Sequence, residues 1–368
     1  MNKIIFLGEA WGKDEDALRR PFVGAAGQEL YRMLVAAGFP GENLPYNFVS
    51  PFSMTKRWDR FPYPLLNVFN RRPPDPDNKN RAEYFYGHPT DETAVLDKSL
   101  PARKIGQSKY YVQKKYSPDV QALHDTLNRM RPNLIVALGN TPLWSLGLPQ
   151  GIGKIRGSII DSNFGKVLPI YHPAAVLRNW KFRTISIIDF MKAKREMEYP
   201  EIRTTERFIW TEPTIPDLYS WWNKHGKNTK LLAVDIETLR KTQISEIGFA
   251  ASPTQALHIP FLLEHRKGNK VTGFSRYYSR EDEILAWQFV KMVLESSVPK
   301  IGQNVIQYDA YWLIKEMGFT LHNFVDDVMV KAHCWQPELE KNLGFLGSIF
   351  LDEKSWKHIR RDVGKLEG

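Results

Sequence analysis

Apolar residues along the chain follow two patterns, continuous runs and repeats with helical spacing. The runs 4–7 and 133–138 are apolar without interruption, which is typical of strands buried on both faces of a parallel sheet. In 27–38 the apolar residues recur every three or four positions, and 119–130 and 182–197 have the same helical character. The pattern predicts an α/β fold around a central, mostly parallel sheet.

The alternation of strands and helices begins again after residue 205. Strands are predicted at 231–236, 246–250, 257–261 and 299–302, and a helix at 281–295. A length of 368 residues also favours two domains over one. We therefore predict domains at 1–198 and 206–368, joined by a linker at 199–205 that contains Pro200.

Segment 41–118 has neither pattern clearly, and we predict that it is irregular. It is rich in proline, asparagine and aromatic residues. Its part 98–115 contains six lysines and arginines, with Tyr110 and Tyr111 between them. Such a stretch is either a solvated loop or a surface that contacts nucleic acid, and the sequence favours neither.

Positive charge is concentrated in the first part of the chain. Residues 1–205 contain 30 Lys and Arg against 20 Asp and Glu, whereas 206–368 contain 21 of each, so the first part carries the whole net charge of +10. This distribution indicates a polyanionic partner, most simply DNA or RNA. The single cysteine excludes a disulfide framework. With neither a membrane-spanning run nor a signal peptide in the sequence, we expect a cytoplasmic protein with no membrane partner.

The strand 4–7 ends in the motif GEAWG at 8–12, which places the carboxylate of Glu9 where open α/β sheets bind ligands. The motif RPFVG follows at 20–24. Far downstream, a strand predicted at 167–171 leads into YHPAAVLR, which contains His172. With NVFNRRPP, PNLIVALGNT and GIGKIRG between them, these motifs resemble in order those of family 4-type uracil-DNA glycosylases, closest to a phage-encoded branch. The resemblance covers about residues 3–190.

This resemblance implies a base-excising pocket with assigned roles. Such an enzyme flips the base out of the stack, stabilises the charge of the breaking bond and holds a water beneath the sugar. By position in the motifs, Glu9 matches the residue that activates the water, and His172 the residue that stabilises the departing base. Phe22 matches the stacking aromatic, Asn67 the residue that reads uracil, and Glu15 an acidic residue that screens the 5-position of the base.

Further residues are assigned to the base pocket or to DNA. Trp11 stands in the base pocket, where the family usually has proline. An insertion of about 20 residues precedes Asn67, and Asn47 fits the uninterrupted spacing better, so Asn47 remains an alternative base-reading residue. The segment 173–178 matches the part that enters the DNA groove. We predict DNA contacts at four positions: Ala174, Arg178, and Lys154 and Arg156 of the Gly-rich turn.

The chain departs from the family in its cysteines. Family 4 enzymes carry a four-cysteine iron–sulfur cluster, which a chain whose single cysteine is Cys334 cannot form. We therefore expect no cofactor for the glycosylase-like domain and no iron–sulfur cluster. The basic stretch 98–115 is a candidate for the bracing role of the cluster.

A second group of carboxylates lies in the second domain. Strand side chains alternate, so Asp235 and Glu237 of DIET share one face, and GQNVIQYD adds Asp309 at a strand-to-helix junction. Hard divalent ions prefer such oxygen ligands, and two of them can drive phosphodiester hydrolysis. We predict a Mg²⁺ or Mn²⁺ site formed by Asp235, Glu237 and Asp309.

These motifs resemble the first two of the DEDD 3′–5′ exonuclease fold of family A DNA polymerases. The resemblance implies a ribonuclease H-like (DnaQ-type) fold, with the Leu-rich stretch 342–351 as part of it. The third motif, Tyr-x-x-x-Asp, is missing: 358–362 has the spacing without the tyrosine and reads as a surface helix. We therefore expect an incomplete domain with weak metal binding, truncated before a polymerase region or paired with a polymerase chain.

Three functions compete. The leading hypothesis is a uracil-DNA glycosylase of DNA repair or replication, fused to an exonuclease-like domain and acting in the host cytoplasm if phage-encoded. The second is a non-catalytic uracil- or DNA-binding module that guides an associated polymerase, since abasic sites in a template would stall replication. The third is a nuclease whose first domain is structural. Base excision needs no metal, so metal dependence separates the third from the first.

Overall fold

The computed structural model describes residues 3–44, 47, 49–73, 84–105, 108–148, 151–268 and 270–351. The chain forms two compact units. The first contains the described residues up to Ile202 together with 344–351, and the second is Arg203–Leu343.

Strands and helices are numbered separately along the chain. The strands are β1 (Ile4–Ala10), β2 (Leu65–Phe69), β3 (Tyr86–Gly87), β4 (Leu96–Asp97), β5 (Arg103–Ile105), β6 (Ser108–Gln113), β7 (Leu134–Leu138), β8 (Ile160–Ser162), β9 (Gly165–Ile170), β10 (Phe208–Trp210), β11 (Leu232–Leu239), β12 (Gln243–Ser252), β13 (Gln255–Pro260), β14 (Leu262–Lys267), β15 (Lys270–Arg276), β16 (Lys300–Gly302) and β17 (Phe324–Asp327). The helices are α1 (Lys13–Leu18), α2 (Ala25–Ala36), α3 (Pro51–Asp59), α4 (Ser117–Met130), α5 (Asn140–Ser145), α6 (Ile152–Ile155), α7 (Pro173–Arg178), α8 (Phe182–Glu196), α9 (Ile215–Trp221), α10 (Arg280–Glu295), α11 (Val328–Trp335) and α12 (Leu343–Phe350). Shorter helical turns lie at Lys114–Tyr116, Trp222–Gly226 and Tyr311–Glu316.

The main sheet of the first unit has the order β2-β1-β7-β9-β8 and is parallel except for β8. This arrangement agrees with the mostly parallel sheet predicted from the continuous apolar runs. Because side chains alternate along a strand, β1 supplies both faces of the sheet. Ile4 and Phe6 lie in the core on one face, whereas Ile5 and Leu7 lie in the core on the other.

The prediction that segment 41–118 is irregular was wrong, because its described part contains helices and strands. Its described part contains α3, β2, the turn at Lys114–Tyr116 and a small antiparallel sheet in which β6 pairs with β3, β4 and β5. The small sheet packs against the main sheet through aromatic residues: Phe85 stacks on Phe69 of β2 with ring centroids 3.9 Å apart. This part of segment 41–118 therefore belongs to the hydrophobic core.

The second unit is built on a six-stranded sheet with the order β10-β13-β12-β11-β16-β17. The strands β11, β12 and β13 form an antiparallel meander, and β16 and β17 lie parallel to β11. Helices α9 and α10 contribute Leu218, Phe289 and Val293 to its core. A separate hairpin, β14–β15, extends from the end of β13.

Helix α12 follows the second unit in the chain, but from Gly344 onward it packs with the first. The buried ammonium of Lys192 on α8 donates to the carbonyl oxygens of Ser348 and Leu351, each at 3.2 Å. The guanidinium of Arg156 lies over the ring of Phe345, 5.3 Å from its centroid. The Leu-rich stretch 342–351, expected in the exonuclease-like domain, therefore contributes most of its residues to the first unit.

Two further predictions concern the third exonuclease motif and membrane-spanning segments. The third-motif candidate 358–362 lies outside the described residues. Across the described part of the chain, none of the helices has the length and apolar character needed to cross a membrane.

Candidate base-binding site

Two predicted site residues lie on neighbouring strands at the same edge of the main sheet. The parallel strands β1 and β2 place Gly8 directly opposite Asn67, and Glu9 is the next residue of β1. Asn67 is buried, whereas Glu9 is partly exposed. Parallel strands end at a common edge, so the sheet itself positions the carboxylate and the amide.

Gly8 marks the point where the site is most crowded. A Cβ atom at this position would lie 2.4 Å from Oδ1 of Asn67 and 2.5 Å from Cζ of Phe22. Both distances are shorter than any real Cβ contact, so the site requires glycine here. The structure thus brings Asn67 and Phe22 together across Gly8, whereas Asn47, the alternative base-reading residue, lies exposed on the loop after α2.

Phe22 is fixed in a backbone conformation that is uncommon for a bulky residue, with φ of 58°. Its carbonyl oxygen accepts a hydrogen bond of 2.7 Å from the indole Nε1 of Trp58, and its backbone lies against Gly27 at the start of α2. The ring is buried and inclined by 29° to the imidazole of His172, with centroids 6.4 Å apart. The local fold therefore holds Phe22 and His172 face to face.

His172 is the N-cap residue of α7. Its Nδ1 accepts a hydrogen bond of 3.2 Å from the backbone N–H of Ala174. A ring nitrogen that accepts is unprotonated, so the neutral imidazole carries its proton on Nε2. Gly139, with φ of 91°, gives the imidazole room, because a Cβ there would lie 3.2 Å from Cβ of His172.

Glu15 lies beside the site, and its carboxylate accepts hydrogen bonds from the backbone. Its Oε1 accepts from the N–H of Gly24 at 2.9 Å and its Oε2 from the N–H of Gly12 at 3.1 Å. The carboxylate therefore ties together the two glycine turns that flank α1. Both carboxylate oxygens of Glu15 therefore have backbone donors, and its expected role of screening the 5-position of the base stays a prediction.

Trp11 is buried, and the guanidinium of Arg19 lies 5.5 Å from its ring centroid. Its backbone N–H donates to the carbonyl oxygen of Arg71, at 3.2 Å. Trp11 thus joins the end of β1 to the segment that follows β2.

The predicted DNA contacts separate into exposed and buried residues. Lys154 and Arg178 are exposed and Ala174 is partly exposed. Arg156 is buried, and its Nε and Nη2 donate to the two carboxylate oxygens of Asp189 at 3.0 and 2.8 Å. The prediction that Arg156 contacts DNA is wrong for this structure, because the guanidinium is committed to a buried ion pair.

Sequence reasoning missed apolar residues on the surface beside α7. Leu177 and Trp180 have exposures of 45% and 54%, and they flank Arg178. Large exposed apolar side chains next to a cation indicate a contact surface. The helical register of 173–178 carries the signal, since Pro173 and Val176 are buried and Leu177 must then point outward.

The sequence that forms this site also matches a protein-family model. The model of the uracil DNA glycosylase superfamily matches residues 1–193, which is more than half of the chain. The chain belongs to the uracil DNA glycosylase superfamily. The matched segment contains Glu9, Phe22, Asn67 and His172.

Three type-4 uracil-DNA glycosylases align with about half of the chain. The chain is 31% identical over 198 residues to the type-4 uracil-DNA glycosylase of Thermotoga maritima, covering 52% of this chain and 76% of that protein. It is 31% identical over 200 residues to the type-4 uracil-DNA glycosylase of Archaeoglobus fulgidus, covering 52% and 74%. The corresponding Saccharolobus solfataricus protein is 28% identical over 217 residues, with 56% and 77% covered.

The iron–sulfur cluster expected of a type-4 relative does not fit the residues of this superfamily member. The 368 residues contain one cysteine, Cys334, which lies exposed on α11 of the second unit. A cluster of this kind takes four thiolates. None of the chemistry of the first unit is therefore assigned to such a cluster.

The three predicted metal ligands of the second unit lie near one another. Oδ1 of the buried Asp309 accepts a hydrogen bond of 2.9 Å from the N–H of Ile236, the residue between Asp235 and Glu237. Burial, followed by the charges of Asp235 and Glu237, raises the pKa of Asp309 to about 7. Among the described residues, however, no three His, Cys, Asp or Glu side chains are placed to hold one ion. The described carboxylates thus do not fit a complete metal site.

Proposed function

We propose that the first unit hydrolyses the N-glycosidic bond of uracil in DNA. The observation that carries the proposal is the convergence of Asn67 and Phe22 on Gly8, with His172 facing Phe22 and Glu9 next in the strand. These are the side-chain types that a flipped pyrimidine requires: a stacking ring, an amide with both donor and acceptor, a proton donor and a carboxylate. The type-4 relatives named above support the same activity.

We assign each group a step in this proposed reaction. Asn67 pairs with the edge of the flipped base, and Phe22 stacks on its face. As the bond between the sugar C1′ and the base N1 breaks, its electrons pass to the base, and Nε2–H of His172 stabilises the negative charge on a base carbonyl. Glu9 orients a water for attack on C1′ and accepts its proton. Glu9 then gives up that proton and the uracil anion takes one up, through solvent, so the products are uracil and an abasic site.

The test is a uracil-containing oligonucleotide incubated with the protein in EDTA, followed by alkali, which cuts the strand at abasic sites. The proposal predicts scission at the uracil. Glu9→Gln should abolish scission and keep DNA binding, whereas Glu92→Gln, at an exposed loop position, should cleave like the wild type. An intact strand with a retained gel shift would instead support the non-catalytic uracil- or DNA-binding module.

For the second unit we propose an exonuclease-like fold of the family A polymerase type, acting beside a polymerase chain or region in the cytoplasm of a host. Its support is the sheet order, an antiparallel meander flanked by two strands parallel to the first, as in ribonuclease H-like folds. The carboxylates Asp235, Glu237 and Asp309 lie at this sheet.

Because the carboxylates do not complete a metal site, we expect little or no nuclease activity. The test is a 5′-labelled oligonucleotide with Mg²⁺ or Mn²⁺. Efficient shortening from the 3′ end, lost in Asp235→Ala, would contradict the incomplete site.

A further inference from the structure

Tyr86, on β3 of the small antiparallel sheet, is a buried residue with an unexplained polar atom. Its exposure is 3%, and its hydroxyl is buried without a hydrogen-bond partner among the described residues. A buried hydroxyl without a partner pays for its lost hydration without the return of a hydrogen bond. Such a group in a folded protein calls for a functional or structural reason.

The side chain of Tyr86 lies on the same face of the main sheet as Glu9. Alternation along β1 puts Glu9 in one row with Ile5 and Leu7, which belong to the core that contains Tyr86. The ring of Tyr86 meets the ring of Phe69 edge-on, with centroids 6.1 Å apart, and Phe69 is paired with Ala10, the neighbour of Glu9. The small sheet therefore places a phenol near the end of β1 that contains Glu9.

The electrostatics of Tyr86 agree with this placement. Burial first, and then the negative charge of Glu9, raise the pKa of Tyr86 well above its ordinary value, while the nearby charge of Arg103 on β5 opposes the shift. The phenol therefore remains neutral and keeps its O–H. A neutral hydroxyl near a carboxylate can only donate to it, since an ionised carboxylate is an acceptor alone.

We propose that Tyr86 is a positioning residue for Glu9. In the complex with DNA its hydroxyl donates to the Glu9 carboxylate and fixes the orientation in which that carboxylate holds the attacking water. Hydrogen bonds of this kind are often absent in a free enzyme and form in the substrate complex. The inference rests on the proposed glycosylase activity and extends it, because it assigns the small antiparallel sheet a role in the site.

Tyr86→Phe tests the proposal because it removes the hydroxyl and leaves the ring that packs on Phe69. Tyr111→Phe, on the adjacent strand β6, is the matched control. In single-turnover excision of uracil at saturating protein, we expect Tyr86→Phe to be about tenfold slower, with unchanged affinity for DNA, and Tyr111→Phe to equal the wild type.

The pH dependence separates positioning from packing. Loss of a donor to the carboxylate makes its charged form less favourable, so the acid limb of the rate profile should move to higher pH in Tyr86→Phe. Thermal stability should not fall, because the lost hydroxyl has no hydrogen-bond partner in the part of the chain that the structure describes. Wild-type rate and an unshifted profile in Tyr86→Phe would overturn the proposal.

A second measurement does not depend on cleavage. Carbon-13 NMR of glutamate carboxyls, with Glu9→Gln to assign the signal, reports the pKa of Glu9 in complex with an oligonucleotide that carries 2′-fluoro-2′-deoxyuridine. The fluorine disfavours the cationic sugar, so the bond stays intact. A higher Glu9 pKa in Tyr86→Phe than in wild type supports the contact, and equal values refute it. If wild-type protein cuts no uracil, the activity fails while this titration still tests Tyr86.

Discussion

Nδ1 of His172 accepts a hydrogen bond from the backbone N–H of Ala174, two residues further along the chain. This bond begins α7 and at the same time determines which imidazole nitrogen carries the proton. One residue thus caps the helix through Nδ1 and leaves Nε2–H for the role of proton donor that we propose for it.

His172→Asn separates these two tasks. Asparagine is a favoured N-cap residue, so its side chain can still accept from Ala174 and the protein should fold normally. It lacks the imidazole Nε2–H, and loss of one donor to a developing anion lowers rates by about 10²–10³-fold. We expect such a loss in single-turnover excision. His172→Ala should lose activity equally and also melt at a lower temperature; equal rates for His172→Asn and wild type would exclude the imidazole as the donor.

Gly8→Ala should inactivate the site without unfolding the protein. The added methyl would overlap the Asn67 amide and the Phe22 ring, and both would move from the positions that a base requires. A displacement of about 1 Å costs about 10²-fold in rate, so we expect a loss of at least that size in uracil excision. Gly153→Ala is the control, because a Cβ there has no neighbour within 4 Å. Excision by Gly8→Ala at the wild-type rate would place the base elsewhere.

Arg156 and Lys154 should respond differently to substitution by alanine. Arg156→Ala strands the buried Asp189 carboxylate, and breaking a buried pair in this way costs about 3–5 kcal/mol. A urea titration should show the loss. Lys154→Ala should leave stability unchanged and weaken DNA binding, with a salt dependence reduced by about one charge. Unchanged stability in Arg156→Ala would contradict the role of the ion pair.

Stability of the second unit should depend on the protonation of Asp309. Its pKa is raised to about 7 in the folded protein, chiefly by burial. Between about pH 4 and pH 7 the folded state keeps a proton that the unfolded chain releases, so stability falls as pH rises through this window. Asp309→Asn, whose Oδ1 can still accept from Ile236, should therefore be more stable than wild type at pH 8 by about 2 kcal/mol.

Urea unfolding at pH 4 and pH 8 measures this difference. The difference should be much smaller at pH 4, where Asp309 is protonated in the folded state and in about half of the unfolded chains. A gap that is the same at both pH values would mean that Asp309 does not titrate as its surroundings indicate.

The main sheet could be predicted from sequence because its strands are long, apolar and close to the motifs. The expected strand 133–138 corresponds to β7, and the expected helix 182–197 to α8. The small sheet could not, since β3 and β4 have two residues each and their pairing with β6 is non-local. Strands this short have no measurable periodicity.

For the candidate site, the sequence identified the residues but not the contacts that they make. The motifs indicated Asn67 and Phe22, but the register of β1 with β2 was needed to show that both converge on Gly8. Arg156 reads as a surface cation in a Gly-rich turn, because its partner Asp189 lies 33 residues away. Glu15 likewise reads as a free carboxylate until its two backbone donors are seen.

The assignment of α12 to the first unit has a consequence for biosynthesis. Residues 203–343 leave the ribosome before the helix that caps Lys192 and covers Arg156. At about 5–20 residues per second, the nascent first unit waits roughly 10–30 s for its last helix. During that interval the ammonium of Lys192 lacks two of its three carbonyl acceptors. The glycosylase-family unit is therefore completed last, although it is begun first.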